Sequence, residues 1–127
     1  IRIDLNDPRP LEDQIAVGLR QAIAQGSVGP GEDLPSVRQL AGDLGVHWNT
    51  VARAYRRLAG EGLLTVRRGR GAVTRDQPRT HTRMGRATLR ERFSDTVAAG
   101  LLGGLSRQDI AEVFKEALAN FGERKRG

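Results

Sequence analysis

Residues 34–73, LPSVRQLAGDLGVHWNTVARAYRRLAGEGLLTVRRGRGAV, decide the fold. Pro35 interrupts the chain ahead of Ser36, whose side-chain oxygen is suited to cap the free amides of a helix start. Val37, Leu40, Ala41 and Leu44 follow at intervals of three and four, so a short helix to about Leu44 carries one apolar face. Gly45 comes next and can take the left-handed conformation that turns a chain sharply. Another helix starts near His47 to Asn49 and lasts to about Gly60, with Val51, Ala54, Tyr55 and Leu58 on its buried side. After a break at Glu61 and Gly62, residues 63–67 read as a strand, 68–71 as a tight turn and 72–74 as the return strand. Together they make a β-hairpin with an arginine-bearing tip.

Upstream, Pro8 and Pro10 keep residues 1–10 extended. A first helix is expected from Leu11 to Gln25, its apolar stripe formed by Leu11, Ile15, Leu19, Ala22 and Ile23. Gly26 ends it, and Gly29, Pro30 and Gly31 form a loop. Downstream, residues 76–85 read as a polar linker without apolar periodicity. Leu89, Phe93, Val97 and Leu101 then recur every fourth residue, and Gly103 and Gly104 break the pattern. Ser106 with Asp109 makes a capping-box start for a last amphipathic helix through Ile110, Val113, Phe114, Ala117, Leu118 and Phe121. Residues 1–75 are thus expected as one domain, 76–85 as a linker, 86–122 as a helical unit and 123–127 as a frayed tail.

The 127 residues suit one compact domain with a small appendage, and the absence of cysteine excludes disulfides and thiolate metal sites. Two histidines, His47 and His81, and no visible carboxylate cluster give no metal motif, and no cofactor motif is present. No apolar run is long enough to span a bilayer, and the start lacks a signal-peptide plan, so a cytoplasmic protein with no membrane partner is expected. The net charge of +6 is unevenly spread. Residues 1–52 carry four arginines against seven acids, whereas residues 53–75 carry seven arginines against one acid. Such a directed basic block suits a polyanionic partner, although charge runs are also found on solvated faces.

A short helix, a glycine turn, a second helix and a basic hairpin, in that order, are the plan of a winged helix-turn-helix. The expected fold is therefore mainly α with a small β-hairpin, a winged helix-turn-helix domain followed by a two-helix dimerisation unit. In that plan the second paired helix enters the major groove of double-stranded DNA. Ser36 and Arg38 are suited to a phosphate at the start of the first helix. His47, Trp48, Asn49 and Thr50 stand at the base-reading end of the second. Asparagine can pair with adenine, and threonine can bond a base or touch a thymine methyl. Arg53 lies one turn further on, while Arg56 and Arg57 are placed for phosphate or solvent. In the hairpin, Arg67, Arg68, Gly69 and Arg70 suit a narrow minor groove, whose negative potential favours arginine.

The blocks PSVRQLA, LGV, NTVARAY, EGL and RRGRG, at this spacing, resemble the GntR family of bacterial regulators, and the lead-in with the first helix fits as well. The pair of helices after the hairpin is similar to the small YtrA subfamily, in which the C-terminal helices serve mainly for dimerisation. The resemblance implies DNA contacts from Arg38, from Trp48, Asn49 and Thr50, and from Arg68 and Gly69. Two positions depart from it. Many relatives carry Ser or Asn where this chain has His47, and Arg or Pro where it has Trp48. Ala52 stands where other subfamilies place a base-reading arginine.

Structural readings stand beside these. Tyr55 shares the Val51 and Leu58 stripe and reads as core, its hydroxyl directed to solvent or phosphate. Arg38 has Asp43 and Glu12 as alternative partners, and His47 can serve as an N-cap. For residues 86–122, Leu89, Phe93, Val97, Leu101, Ile110, Val113, Phe114, Ala117, Leu118 and Phe121 are expected at a homodimer interface, with packing onto the winged domain as the alternative. The function expected is regulation of transcription, as a homodimeric repressor on an inverted-repeat operator. A protein-interaction adaptor is one alternative, and a fragment of a MocR-type regulator, whose aminotransferase-like domain this chain is too short to hold, is another. No enzyme motif is present. Without a large second domain, only a small effector molecule would have room.

Overall fold

A computed structural model describes residues 3–67, 71–76 and 84–121. The chain divides into two compact units, Ile1–His81 and Thr82–Gly127. The expected tip residues Arg68, Gly69 and Arg70, most of the linker with His81, and the tail 123–127 lie outside the described residues.

In the first unit, helix α1 spans Leu11–Gln25, entered from Pro10 and ended by Gly26 at φ +81°. Helix α2 spans Val37–Leu44, and the Ser36 hydroxyl accepts from the Gln39 amide at 3.1 Å, filling one of the free donor sites of the first turn. Gly45 follows at φ +70° and turns the chain into helix α3, Trp48–Gly60. Ile15, Leu19 and Ile23 of α1, Leu40 and Ala41 of α2, and Val51, Ala54, Tyr55 and Leu58 of α3 form one core. Burying each large side chain among them contributes on the order of 1.5–3 kcal/mol. Leu11 and Ala22, expected on the α1 stripe, are only half-buried, while Gln14 and Ala16 are buried in addition. Gln14 is satisfied there by the lead-in segment. Its amide donates to the carbonyls of Asp4 (3.1 Å) and Arg9 (3.0 Å) and accepts from the Asp4 amide.

Strands β1, Leu64–Arg67, and β2, Gly71–Thr74, pair antiparallel with Leu64 opposite Thr74 and Arg67 opposite Gly71. The sequence reading began the first strand one residue early and the second one residue late. A further stretch joins the hairpin. The Leu34 amide donates to the Ala72 carbonyl at 2.8 Å, and Thr74 donates to Glu32 at 2.9 Å. The chain entering α2 is therefore hydrogen-bonded alongside β2.

The second unit holds helix α4, Arg86–Leu102, and helix α5, Arg107–Ala119. The capping box is complete. Ser106 accepts from the Asp109 amide, and the Asp109 carboxylate accepts from the Ser106 amide at 2.9 Å. Those bonds hold the Asp109 carboxyl below its usual pKa. α5 stops at Ala119, so Phe121 lies just past the helix rather than in it. Phe93 and Phe114 meet edge to face at 5.6 Å, and Gly100 gives the close approach, since a β-carbon there would sit 3.1 Å from Ile110. Neither helix buries a residue.

Candidate nucleic-acid interface

The start of α3 is built around its cap. His47 has extended backbone, and its Nδ1 accepts from the Asn49 amide at 3.1 Å. That bond requires an unprotonated Nδ1, so in neutral His47 the proton sits on Nε2, which faces away from the cap as a donor. Trp48, the first residue of the helix, keeps 45% of its surface exposed. Its ring stacks on His47 with centroids 5.6 Å apart and an interplanar angle of 29°. The Arg38 guanidinium lies over the same ring, 5.9 Å from its centroid, within cation–π reach. Glu12, one alternative partner for Arg38, instead faces Arg57 at 3.7 Å.

A second set of contacts brings the hairpin to α2. Gly71 has φ +76°, and a β-carbon there would come 3.1 Å from Ser36 Cα and 3.3 Å from the Pro35 carbonyl. Gly71 thus adjoins Ser36, two residues before Arg38, and Arg38 in turn lies over the indole that stacks on His47. Ser36, Arg38, His47, Trp48, Arg53 and Arg67 are exposed, whereas Asn49 and Thr50 are half-buried at the helix start. The hairpin end and the first turns of both paired helices therefore adjoin one another. Arg68, Gly69 and Arg70 lie outside the described residues.

Two expectations are corrected. Tyr55 is fully buried, but its hydroxyl reaches neither solvent nor phosphate, because it donates to the Pro35 carbonyl at 2.7 Å. Arg57, read as facing phosphate or solvent, is ion-paired with Asp13 and Glu12 of α1, and Asp13 raises its pKa. Sequence reading missed a further tie: Arg20 of α1 places one terminal nitrogen 2.8 and 2.9 Å from the two Glu61 oxygens. These pairs are part-exposed, so each is worth well under about 1 kcal/mol. Their effect is orientational, holding the C-terminal end of α3 against α1, while among the described residues the start of α3 carries no such pair. Among the described residues, no group of three or more His, Cys, Asp or Glu is placed to hold a metal.

An arrangement of two capped helices, a hairpin against their entry and a cationic face invites comparison with known regulators. Residues 11–73 match the family described as bacterial regulatory proteins, gntR family. The transcriptional repressor YtrA of Bacillus subtilis is 31% identical over 94% of this chain and 93% of its own length. The chain belongs to the GntR family. This GntR protein is also similar to the solved YtrA of Sulfolobus acidocaldarius, described as a GntR-family transcription factor. That likeness has 30% identity and a TM-score of 0.55, and it covers 94% of this chain and 97% of the other. A Listeria monocytogenes structure, titled a transcriptional antiterminator, shares the fold at a TM-score of 0.74 over the whole chain with 22% identity. The likeness to the YtrA proteins runs through both units. This YtrA-like GntR protein is a DNA-binding transcriptional regulator and not an enzyme, with the winged helix-turn-helix fold followed by a helical pair. No described helix is long and apolar enough to cross a membrane.

Proposed function

We propose that this protein is a cytoplasmic repressor that binds an inverted-repeat operator as a homodimer, each copy laying the start of α3 in the major groove. The observation that carries the DNA-facing assignment is the grouping of exposed Ser36, Arg38, Trp48 and His47, with the hairpin's Gly71 packed against Ser36. Its roles divide by chemistry. Ser36 and Arg38 hold phosphate. Asn49 and Thr50 read base edges, and Arg53 reaches base or backbone one turn along. Arg67, with Arg68, Gly69 and Arg70, grips the adjoining minor groove. The repressor role is supported by the likeness to a protein named as one.

The homodimer is supported by the second unit. Leu89, Phe93, Val97 and Leu101 of α4 stay 38–46% exposed, and Val113, Phe114 and Leu118 of α5 stay 46–60% exposed. With part-buried Ile110 and exposed Ala117 and Phe121 they leave large apolar side chains of both helices open, as interaction sites do. A second copy would cover them and bring two α3 helices into one complex, as an operator of two half-sites requires. No small effector enters this scheme.

The test compares Arg38→Ala with Asn49→Ala on a duplex selected by the wild-type protein and on random duplex. Arg38→Ala is expected to weaken both and to flatten the salt dependence. Asn49→Ala is expected to weaken the selected duplex far more. Equal losses on both duplexes for Asn49→Ala would contradict its base-reading role.

A further inference from the structure

Trp48 is a large apolar side chain at the base-reading end of α3, yet its ring is already engaged. Arg38 lies over it and His47 stacks on it, and His47 is itself held by the bond from the Asn49 amide. Swinging the indole aside or wedging it between base pairs would break both contacts. Almost half of its surface nevertheless remains uncovered. The indole is carbon except for one N–H. On base edges in the major groove, the apolar group available to meet carbon is the C5-methyl of thymine, whereas the other edge atoms are hydrogen-bond donors and acceptors.

We propose that Trp48, held by Arg38 and His47, is a specificity-determining residue that reads the C5-methyl group of one thymine in each half-site, next to the base met by Asn49. The proposal rests on the assignment of α3 to the major groove and deepens it by naming the group recognised. The stack matters as much as the indole. Arg38 and His47 fix the ring before DNA arrives, so the contact forms without ordering a loose side chain. Deleting one methyl from the DNA should therefore be felt in full. A contact with sugar would be indifferent to the base, and the two can be separated chemically.

The experiment replaces each thymine of a duplex selected from a random library, one at a time, by deoxyuridine. This removes the methyl and leaves every Watson–Crick bond intact. Binding of the full chain is followed by fluorescence anisotropy of labelled DNA. At one position per half-site the wild type should lose about fourfold in affinity, as expected for one buried methyl. In Trp48→Ala, that position should show no penalty, while penalties elsewhere stay as they were. Trp48→Phe, which keeps a ring, should retain part of it. Urea melts of each variant confirm that the fold is kept. Three results would overturn the proposal. One is wild-type indifference to every deoxyuridine, and another is an undiminished penalty in Trp48→Ala. The third is a Trp48→Ala loss that is equal on selected and random DNA. A wild type that retains sequence preference but ignores the methyl removes this proposal alone. One with no preference for the selected duplex removes the assignment of α3 to the groove as well.

Discussion

The Tyr55 hydroxyl donates to the Pro35 carbonyl across 2.7 Å, tying the middle of α3 to the turn that launches α2. Because Gly71 packs against the same Pro35 and the neighbouring Ser36, one short stretch of backbone sets the placement of both paired helices and of the hairpin. The relative position of the parts assigned to DNA is therefore set from beneath, by a buried phenol and a close-packed glycine.

Removing only the hydroxyl tests that tie. Tyr55→Phe keeps the buried ring and should cost about 1 kcal/mol in urea denaturation, the usual worth of one hydrogen bond. Affinity for DNA should fall with it, through looser orientation of α2. A variant as stable as wild type would show that Pro35 is equally well hydrated without the phenol.

The same residue predicts behaviour in alkali. Burial pushes the Tyr55 phenol up to about 12, against an ordinary value near 10. The fold thus favours the neutral form. Its contribution is intact below pH 10 and is lost as pH rises from there through 12. Tyr55 is the single tyrosine, so ultraviolet phenolate absorbance reads it directly. Ionisation should be delayed to about pH 12 or accompany unfolding, and titration near 10 in the folded protein would contradict the burial.

Two glycines separate backbone strain from packing. Gly26 and Gly71 both have positive φ, but a β-carbon on Gly26 would meet nothing within 4 Å, whereas on Gly71 it would press on Ser36 and Pro35. Gly26→Ala should cost about 1 kcal/mol from conformation alone. Gly71→Ala should cost more and should also weaken DNA binding. Equal stability losses, with DNA binding untouched in both, would show that the hairpin is not wedged against α2.

The apolar face of the helical pair is tested by Phe114→Asp. A charge in the proposed interface should convert a sedimenting dimer to monomer and lower operator affinity at nanomolar protein. A variant that still sediments as a dimer would place the interface elsewhere.

What was legible in the sequence was local. The bounds of α1 follow from Pro10 and Gly26, Ser36 and Ser106 announce their helices by capping chemistry, and Gly45 marks the turn. The core stripe of α3 follows from spacing alone. What the sequence hid depends on partners far along the chain. Arg57 meets Asp13 across 44 positions and Arg20 meets Glu61 across 41, and nothing near either arginine distinguishes it from a solvated one. The pairing of Glu32 and Leu34 with β2 was missed because the Gly29–Pro30–Gly31 run dominates the local reading. Gln14 looks like an exposed helix position until the lead-in folds over it. Among the interface residues, the exposure of Ser36, Arg38 and Trp48 could be anticipated, but the placing of Arg38 over the indole could not.

Trp48 is the sole tryptophan, and it stands in the middle of the surface assigned to DNA. Acrylamide quenching of its fluorescence, with and without saturating operator duplex, tests that assignment most directly. The duplex is expected to shield the indole and lower the quenching constant severalfold. An unchanged constant, with anisotropy showing the DNA fully bound, would mean that the protein grips DNA with another face.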